Sequence, residues 1–272
     1  MLGGCGVRLA AIPPRPADAL AGSAFVEQVR DLPFEQRERR IFEEITGGNL
    51  PGFLRRFEPV AVWAVDPAGA RHEGVLYVSP DYLSVGSDAD FVRMPMSPLV
   101  AQPIADRFGC LLPTRRIVDA VFRQAAVRLE PAPFDPRSLV MTSVDAFVRS
   151  HRRIEEQLAE YARRHPPAAR TGRPGGLVAG IKKDVVISPQ LAARPGKVAI
   201  YGWHRPNGEA IQPLYLGHAI TWVDYSHGVR LVSGRMKLDG RWVSADRVLS
   251  DPVLSSLLSD EGPLASPRYA VP

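Results

Sequence analysis

The chain has 272 residues, of which 45% are hydrophobic and 23% charged, enough to bury the core of one large or two small domains. No window approaches the roughly 18 uninterrupted apolar residues of a membrane helix and no fixed-period repeat occurs, so an integral membrane span and a solenoid are set aside. The net charge of +5 comes from 34 Lys and Arg against 29 Asp and Glu scattered throughout, and no nucleic-acid motif accompanies it, so no nucleic-acid partner is expected.

Residues 1–22 read as a tail or tether. Within them, Leu2-Gly3-Gly4-Cys5 matches the small-residue pattern that precedes a lipidated cysteine, which makes Cys5 a candidate lipid anchor and the cell envelope or periplasm the expected compartment. The segment before Cys5 is too short for the charged and apolar regions of an export signal, as a gene read from a late start would leave it.

Residues 23–272 read as a single α+β domain. In its first part, 23–90, a helix over Phe25 to Gly47 is interrupted by Pro33, and a small β unit follows. That unit comprises an apolar run from Val60 to Val65, an Asp66-Pro67-Ala68-Gly69 turn, a return over Gly74 to Val78, and a third strand over Tyr82 to Val85. The middle part, 91–164, is helical. Helices are expected over Ser97 to Phe108, over Pro113 to Val127, and from a Thr142 or Ser143 cap to about Arg164. The basic region Arg149 to Arg173 also holds Glu155, Glu156 and Glu160, so it reads as a solvated helix face that ends in a Pro/Gly/Arg linker over His165 to Gly176.

The β-rich part, 177–250, has strands over Leu177 to Ser188, Val198 to Trp203, Ala210 to Tyr215, Gly228 to Val232 and Arg235 to Val243. Pro206-Asn207-Gly208 and Asp239-Gly240 are turn signals. The expected fold is α+β, with helices preceding one mostly antiparallel C-terminal sheet, an order compatible with a papain-like arrangement.

Chemistry concentrates between 203 and 230. His204, His218 and His227 lie there with Trp203, Gln212, Tyr215, Trp222, Asp224, Tyr225 and Arg230. The leading reading is a cysteine hydrolase. Cys110, just before a predicted helix N-terminus, is the nucleophile whose thiolate the helix end favours, His227 is the base with His218 in reserve, and Asp224 orients the ring. His204, Trp203, Lys183, Gln212, Tyr215, Tyr225 and Arg230 would line the substrate site. The competing reading of Cys110 is a small buried hydrophobe in a helical corner. Lys182-Lys183-Asp184 interrupts an apolar strand, so one lysine should face a packed side or a cleft. The choice there lies between an anion-binding Lys paired with Asp184 and an edge-strand gatekeeper.

A helix-start Cys110 followed by a strand-start His227-Gly228-Val229 resembles the papain-like cell-wall cysteine peptidases over Cys110 to about Val232. The resemblance implies hydrolysis of an amide or ester in a peptide- or glycan-containing substrate without a cofactor. Those enzymes usually carry Asp before and Ser after the nucleophile, where this chain has Gly109 and Leu111. Through Phe108-Gly109-Cys110-Leu111-Leu112-Pro113, Tyr201-Gly202-Trp203-His204 and Asp224-Tyr225-Ser226-His227-Gly228, most of the chain is also similar to a group of uncharacterised bacterial exported proteins.

Two alternatives stay open. His204, His218, Asp224 and His227 are the residue types of a zinc peptidase or amidase site, although no His-Glu-x-x-His helix exists. Alternatively, the tryptophans and tyrosines of this block line a non-catalytic glycan- or peptide-binding groove.

Overall fold

The computed structural model describes residues 6–135, 137, 140–165 and 176–271. Cys5 and nearly all of the expected linker over 165–176 lie outside the described residues. In chain order the elements are β1 (Val7–Arg8), α1 (Gly22–Val29), α2 (Phe34–Thr46), β2 (Arg56–Val65), β3 (Arg71–Val78), β4 (Ser84–Gly86) and β5 (Phe91–Arg93). They continue with α3 (Pro98–Arg107), β6 (Cys110–Leu111), α4 (Arg115–Gln124), β7 (Val127–Arg128), α5 (Val144–Arg164), β8 (Val178–Ala179) and β9 (Lys183–Val186). The last are β10 (Ala199–His204), β11 (Ala210–Tyr215), β12 (His227–Gly228), β13 (Val232–Ser233), β14 (Arg235–Leu238), β15 (Arg241–Ser244) and α6 (Ala245–Ser250). The class is α+β with mostly antiparallel pairing, as the sequence predicts.

Local chemistry explains most boundaries. The Thr114 hydroxyl accepts the Ile117 N–H at 3.2 Å and starts α4, and the Ser143 hydroxyl does the same for Ala146 at α5. Ile41 and Ile45 turn one face of α2 into the core, and the buried Glu38 carboxylate on that helix accepts both the backbone N–H and the hydroxyl of Ser97 at the start of α3. The β14–β15 turn places Asp239 and Gly240 at φ 46° and 83°, the left-handed pair that a tight hairpin needs.

Two expectations are corrected. The stretch 1–22 is no loose tail from Val7 onward: β1 pairs with Arg56 and Phe57, Ile12 is buried, and the Arg15 side chain binds Asn49 and the carbonyls of Ala19 and Leu20. Nor do the last hundred residues form one antiparallel sheet. A sheet ordered β11-β10-β9-β12 holds the middle of this part, with β12 parallel to β9, while β13 and β14 cross over to β3 in the N-terminal sheet. The split follows from two breaks in the apolar runs. Gly180, at φ +90°, separates β8 from β9. Arg230, buried between β12 and β13, donates to the carbonyls of Ser79 at 2.6 Å and Val178 at 2.7 Å instead of continuing a strand. Apolar runs say where a strand is buried, and non-local pairing decides its partner. Tyr82 to Val85 likewise pairs with β5, not with the β2–β3 hairpin.

The main apolar core runs from Ile12 to Tyr269 with two smaller clusters beside it, and α4 packs between β2 and β10. A wholly buried ion pair, Arg93 with Asp81 at 2.7 Å, fastens β5 to the loop before β4 and extends to Glu155 on α5.

Candidate functional site

Three strands set the frame. Lys183 on β9 lies in register with Gly202 on β10 and with His227 on β12, so the three positions form a row across the sheet. The turn before β12 is closed by Asp224, whose Oδ1 accepts both the N–H of Ser226 at 2.7 Å and its hydroxyl. Asp224 Oδ2 is left facing His227 Nε2 at 3.6 Å and the indole N–H of Trp222 at 3.4 Å.

His227 is only 1% exposed, and neither ring nitrogen has a hydrogen-bond partner among the described residues. Burial drives its pKa down to about 4 and outweighs the pull of Asp224, while Lys183, His218 and Lys182 push the same way as burial. The imidazole is therefore neutral at pH 7. Burial would raise Asp224, but His227, the Ser226 hydroxyl, Lys183 and the Ser226 N–H together hold its carboxyl below the usual range. The site thus pairs a neutral ring with a charged carboxylate.

Toward solvent, His218 stacks on Trp222 at 5.1 Å between centroids, meets Tyr215 edge-on at 5.0 Å, and stands 6.4 Å from the His227 ring. Its segment is fixed by the Val198 N–H donating to the His218 carbonyl at 3.2 Å. Trp222 is 41% exposed and Tyr215 44%, so an aromatic platform lies outside the buried pair.

On the other side, the Lys183 ammonium sits over the Trp203 ring at 5.2 Å, and Trp203 meets Tyr225 edge-on at 6.2 Å. Trp203 follows a break in the β10–β11 register and has φ 56°, a conformation rare for a bulky residue. Its indole N–H is buried without a hydrogen-bond partner among the described residues. Strained backbone and orphaned polar atoms together mark a place where packing alone has not set the geometry.

Lys182 and Lys183 resolve into two roles. Lys183 faces the site, while Lys182 is wholly buried and donates to Ser150 Oγ at 2.9 Å and to the Tyr225 carbonyl. Burial brings Lys182 down to about 7, with Arg93 adding to the effect and Asp224 and Asp81 opposing it. Because β9 lies between β10 and β12, the edge-strand gatekeeper reading is corrected. Asp184 pairs with neither lysine. It accepts the Tyr82 hydroxyl at 2.8 Å and lies 3.8 Å from Arg230, and burial foremost raises it to about 6. Arg230 is thus part of the scaffold behind the site.

Of the residues expected from sequence, the structure brings together His218, Asp224, His227, Lys183, Trp203, Tyr215 and Tyr225. It leaves four elsewhere, of which Arg230 is in the scaffold just described. His204 turns toward α4, where Asp119 Oδ1 lies 2.9 Å from its Nε2. Gln212 bonds the carbonyl of its neighbour Pro213. Cys110, expected at a helix start, is instead on β6, four residues before the Thr114 cap of α4, and only 4% exposed. Its thiol contacts the Phe108 carbonyl at 3.6 Å, burial alone pushes its pKa up, and no imidazole pairs with it among the described residues. A thiol so placed lacks both the helix end and the base that would make it a thiolate.

Among the described residues no group of three or more His, Cys, Asp or Glu could hold a metal ion. Sequence reasoning missed Asp119, which sits on an ordinary amphipathic helix with no motif around it. Compared with protein-family models, with curated proteins and with solved structures, the chain has no significant match.

Proposed function

We propose that the chain hydrolyses an amide or ester bond in a peptide- or glycan-containing substrate, with His227 as general base and Asp224 as the group that orients it. The observation behind this reading is the buried imidazole whose two nitrogens are both unpaired beside a carboxylate. Leaving such a group unsatisfied costs about 1–3 kcal/mol, a penalty that a ligand or a reacting proton would relieve.

Asp224 faces Nε2 and favours the proton there, so Nδ1 is the basic atom. In the proposed step, a water admitted to Nδ1 when substrate binding uncovers the ring gives its proton to that nitrogen while its oxygen attacks the substrate carbonyl. Asp224 stabilises the imidazolium that forms, and the Lys183 ammonium attracts the developing oxyanion. The C–N or C–O bond then breaks, and the proton passes from His227 to the leaving atom. Cys110 takes no part.

A second reading, a binding module without chemistry, is favoured by the exposed Trp222 and Tyr215 beside a base that is itself covered. One experiment separates them: mass spectrometry of a peptidoglycan-fragment digest with the wild type, His227→Gln and Cys110→Ala, run beside calorimetric binding of the same fragments. Products lost in H227Q and retained in C110A support the hydrolase. Loss in C110A with retention in H227Q overturns it in favour of the thiol, and binding without products overturns it in favour of the module. The same proposal assigns the chain to the cell envelope through Cys5, which fractionation of cells expressing wild type and Cys5→Ser checks.

A further inference from the structure

A second histidine and carboxylate meet on the opposite side of β10. Asp119 projects from α4 and its Oδ1 accepts the Tyr201 hydroxyl at 2.9 Å while facing His204 Nε2 at 2.9 Å. The His204 ring is held between Phe122, stacked at 4.6 Å, and Tyr201, edge-on at 5.7 Å, and is only 3% exposed. Two donors and two rings therefore fix the carboxylate through one oxygen. The other, Oδ2, has no hydrogen-bond partner among the described residues, and Asp119 lines a cleft of about 370 Å³.

The cleft also carries two cations. Arg123 is exposed, and its guanidinium has no partner among the described residues. Arg128 lies over the Phe122 ring at 5.5 Å and donates to the Arg123 carbonyl, which anchors it at the rim. A ligand with only positive charge would meet both guanidinium groups, and one with only negative charge would meet the fixed carboxylate. Both signs are matched only by a ligand that carries both.

We propose that this cleft binds a small zwitterion of the amino-acid type, with its ammonium group on Asp119 Oδ2 and its carboxylate on Arg123 and Arg128. Guanidinium presents paired N–H donors to a carboxylate, and Asp119 is preorganised because Tyr201 and His204 already hold it. The site is separate from the His227 pair and does not depend on hydrolysis there.

Calorimetric titration of the full chain with alanine, propionate and ethylamine, repeated on Arg123→Gln and Asp119→Asn, tests the assignment. Expected is saturable binding of alanine, at least about tenfold weaker binding of propionate and ethylamine, and a loss of about tenfold or more in each variant. The exposed R123Q substitution leaves folding unchanged, and thermal melting of D119N shows whether that variant is folded. Equal binding of alanine and propionate overturns the zwitterion in favour of a plain anion site. Alanine binding that survives R123Q, or its absence at millimolar concentration, overturns the site itself.

Discussion

The two histidine–carboxylate pairs of this protein are built oppositely. His204 and Asp119 meet at hydrogen-bond distance, share their acceptor with Tyr201 and border an open cleft, whereas His227 and Asp224 stand 3.6 Å apart with the imidazole covered and unpaired. Similar residue types thus give a satisfied and a frustrated pair. In the first, the hydrogen bonds are part of what holds α4 on β10. In the second, Ser226 holds Asp224 through Oδ1, and Oδ2 stands 3.6 Å from the ring nitrogen, too far for the bond it would make. Geometry, more than composition, decides which pair is stored strain.

The contrast can be broken first through turnover, where the largest effect is expected. His227→Gln should lower hydrolysis by about 10²–10⁴-fold, the usual contribution of a positioned base, while His204→Gln should leave it within a few-fold; equal losses measured in steady-state assays would erase the distinction.

Next comes pH. In the unfolded chain His227 takes up its proton near pH 6.5, but in the native state not until about 4. Between those values the unfolded state binds more protons, so stability falls as pH drops from about 6.5 to 4, by about 3 kcal/mol from this group, and levels off below. Denaturant titrations of wild type and H227Q across that window should diverge, with the variant lacking this part of the slope.

Smaller effects sharpen the same comparison. Asp119→Ala should cost about 1–3 kcal/mol by leaving the Tyr201 hydroxyl and His204 without their acceptor. His227→Leu should be close to neutral or stabilising at pH 7, because it removes an unsatisfied polar group and keeps the volume. Chemical denaturation reads both, and a larger loss in H227L than in D119A would reverse the assignment of strain. The smallest loss of stability, about 1 kcal/mol, is expected for Trp222→Ala, through the stacking on His218 and the long indole bond to Asp224 that it removes, and the variant should weaken ligand binding at the platform.

Much of the frustrated site is legible in the sequence because it is local. Asp224, Ser226 and His227 fall within four residues, and Lys183 announces itself as a charge inside an apolar run. The caps at Thr114 and Ser143 and the Asp239-Gly240 turn are readable for the same reason. What escaped is what tertiary pairing decides. Asp119 and His204 are 85 positions apart and carry no motif. The parallel docking of β12 on β9 leaves no periodic trace, nor does the return of β13 to β3. Cys110 lies in sequence just before a predicted helix, but the helix begins only after Thr114, and β13 claims the cysteine as a strand partner.

That strand position gives the thiol another use. Held on β6 against Ser233 and shut from water with its pKa raised, Cys110 reacts with an alkylating reagent only in molecules whose sheet has come apart. In a Cys5→Ser background, the rate at which this single thiol is labelled becomes a clock for the opening of the seam where the C-terminal strand β13 closes on the N-terminal sheet. Its dependence on reagent concentration would tell how quickly that seam shuts again.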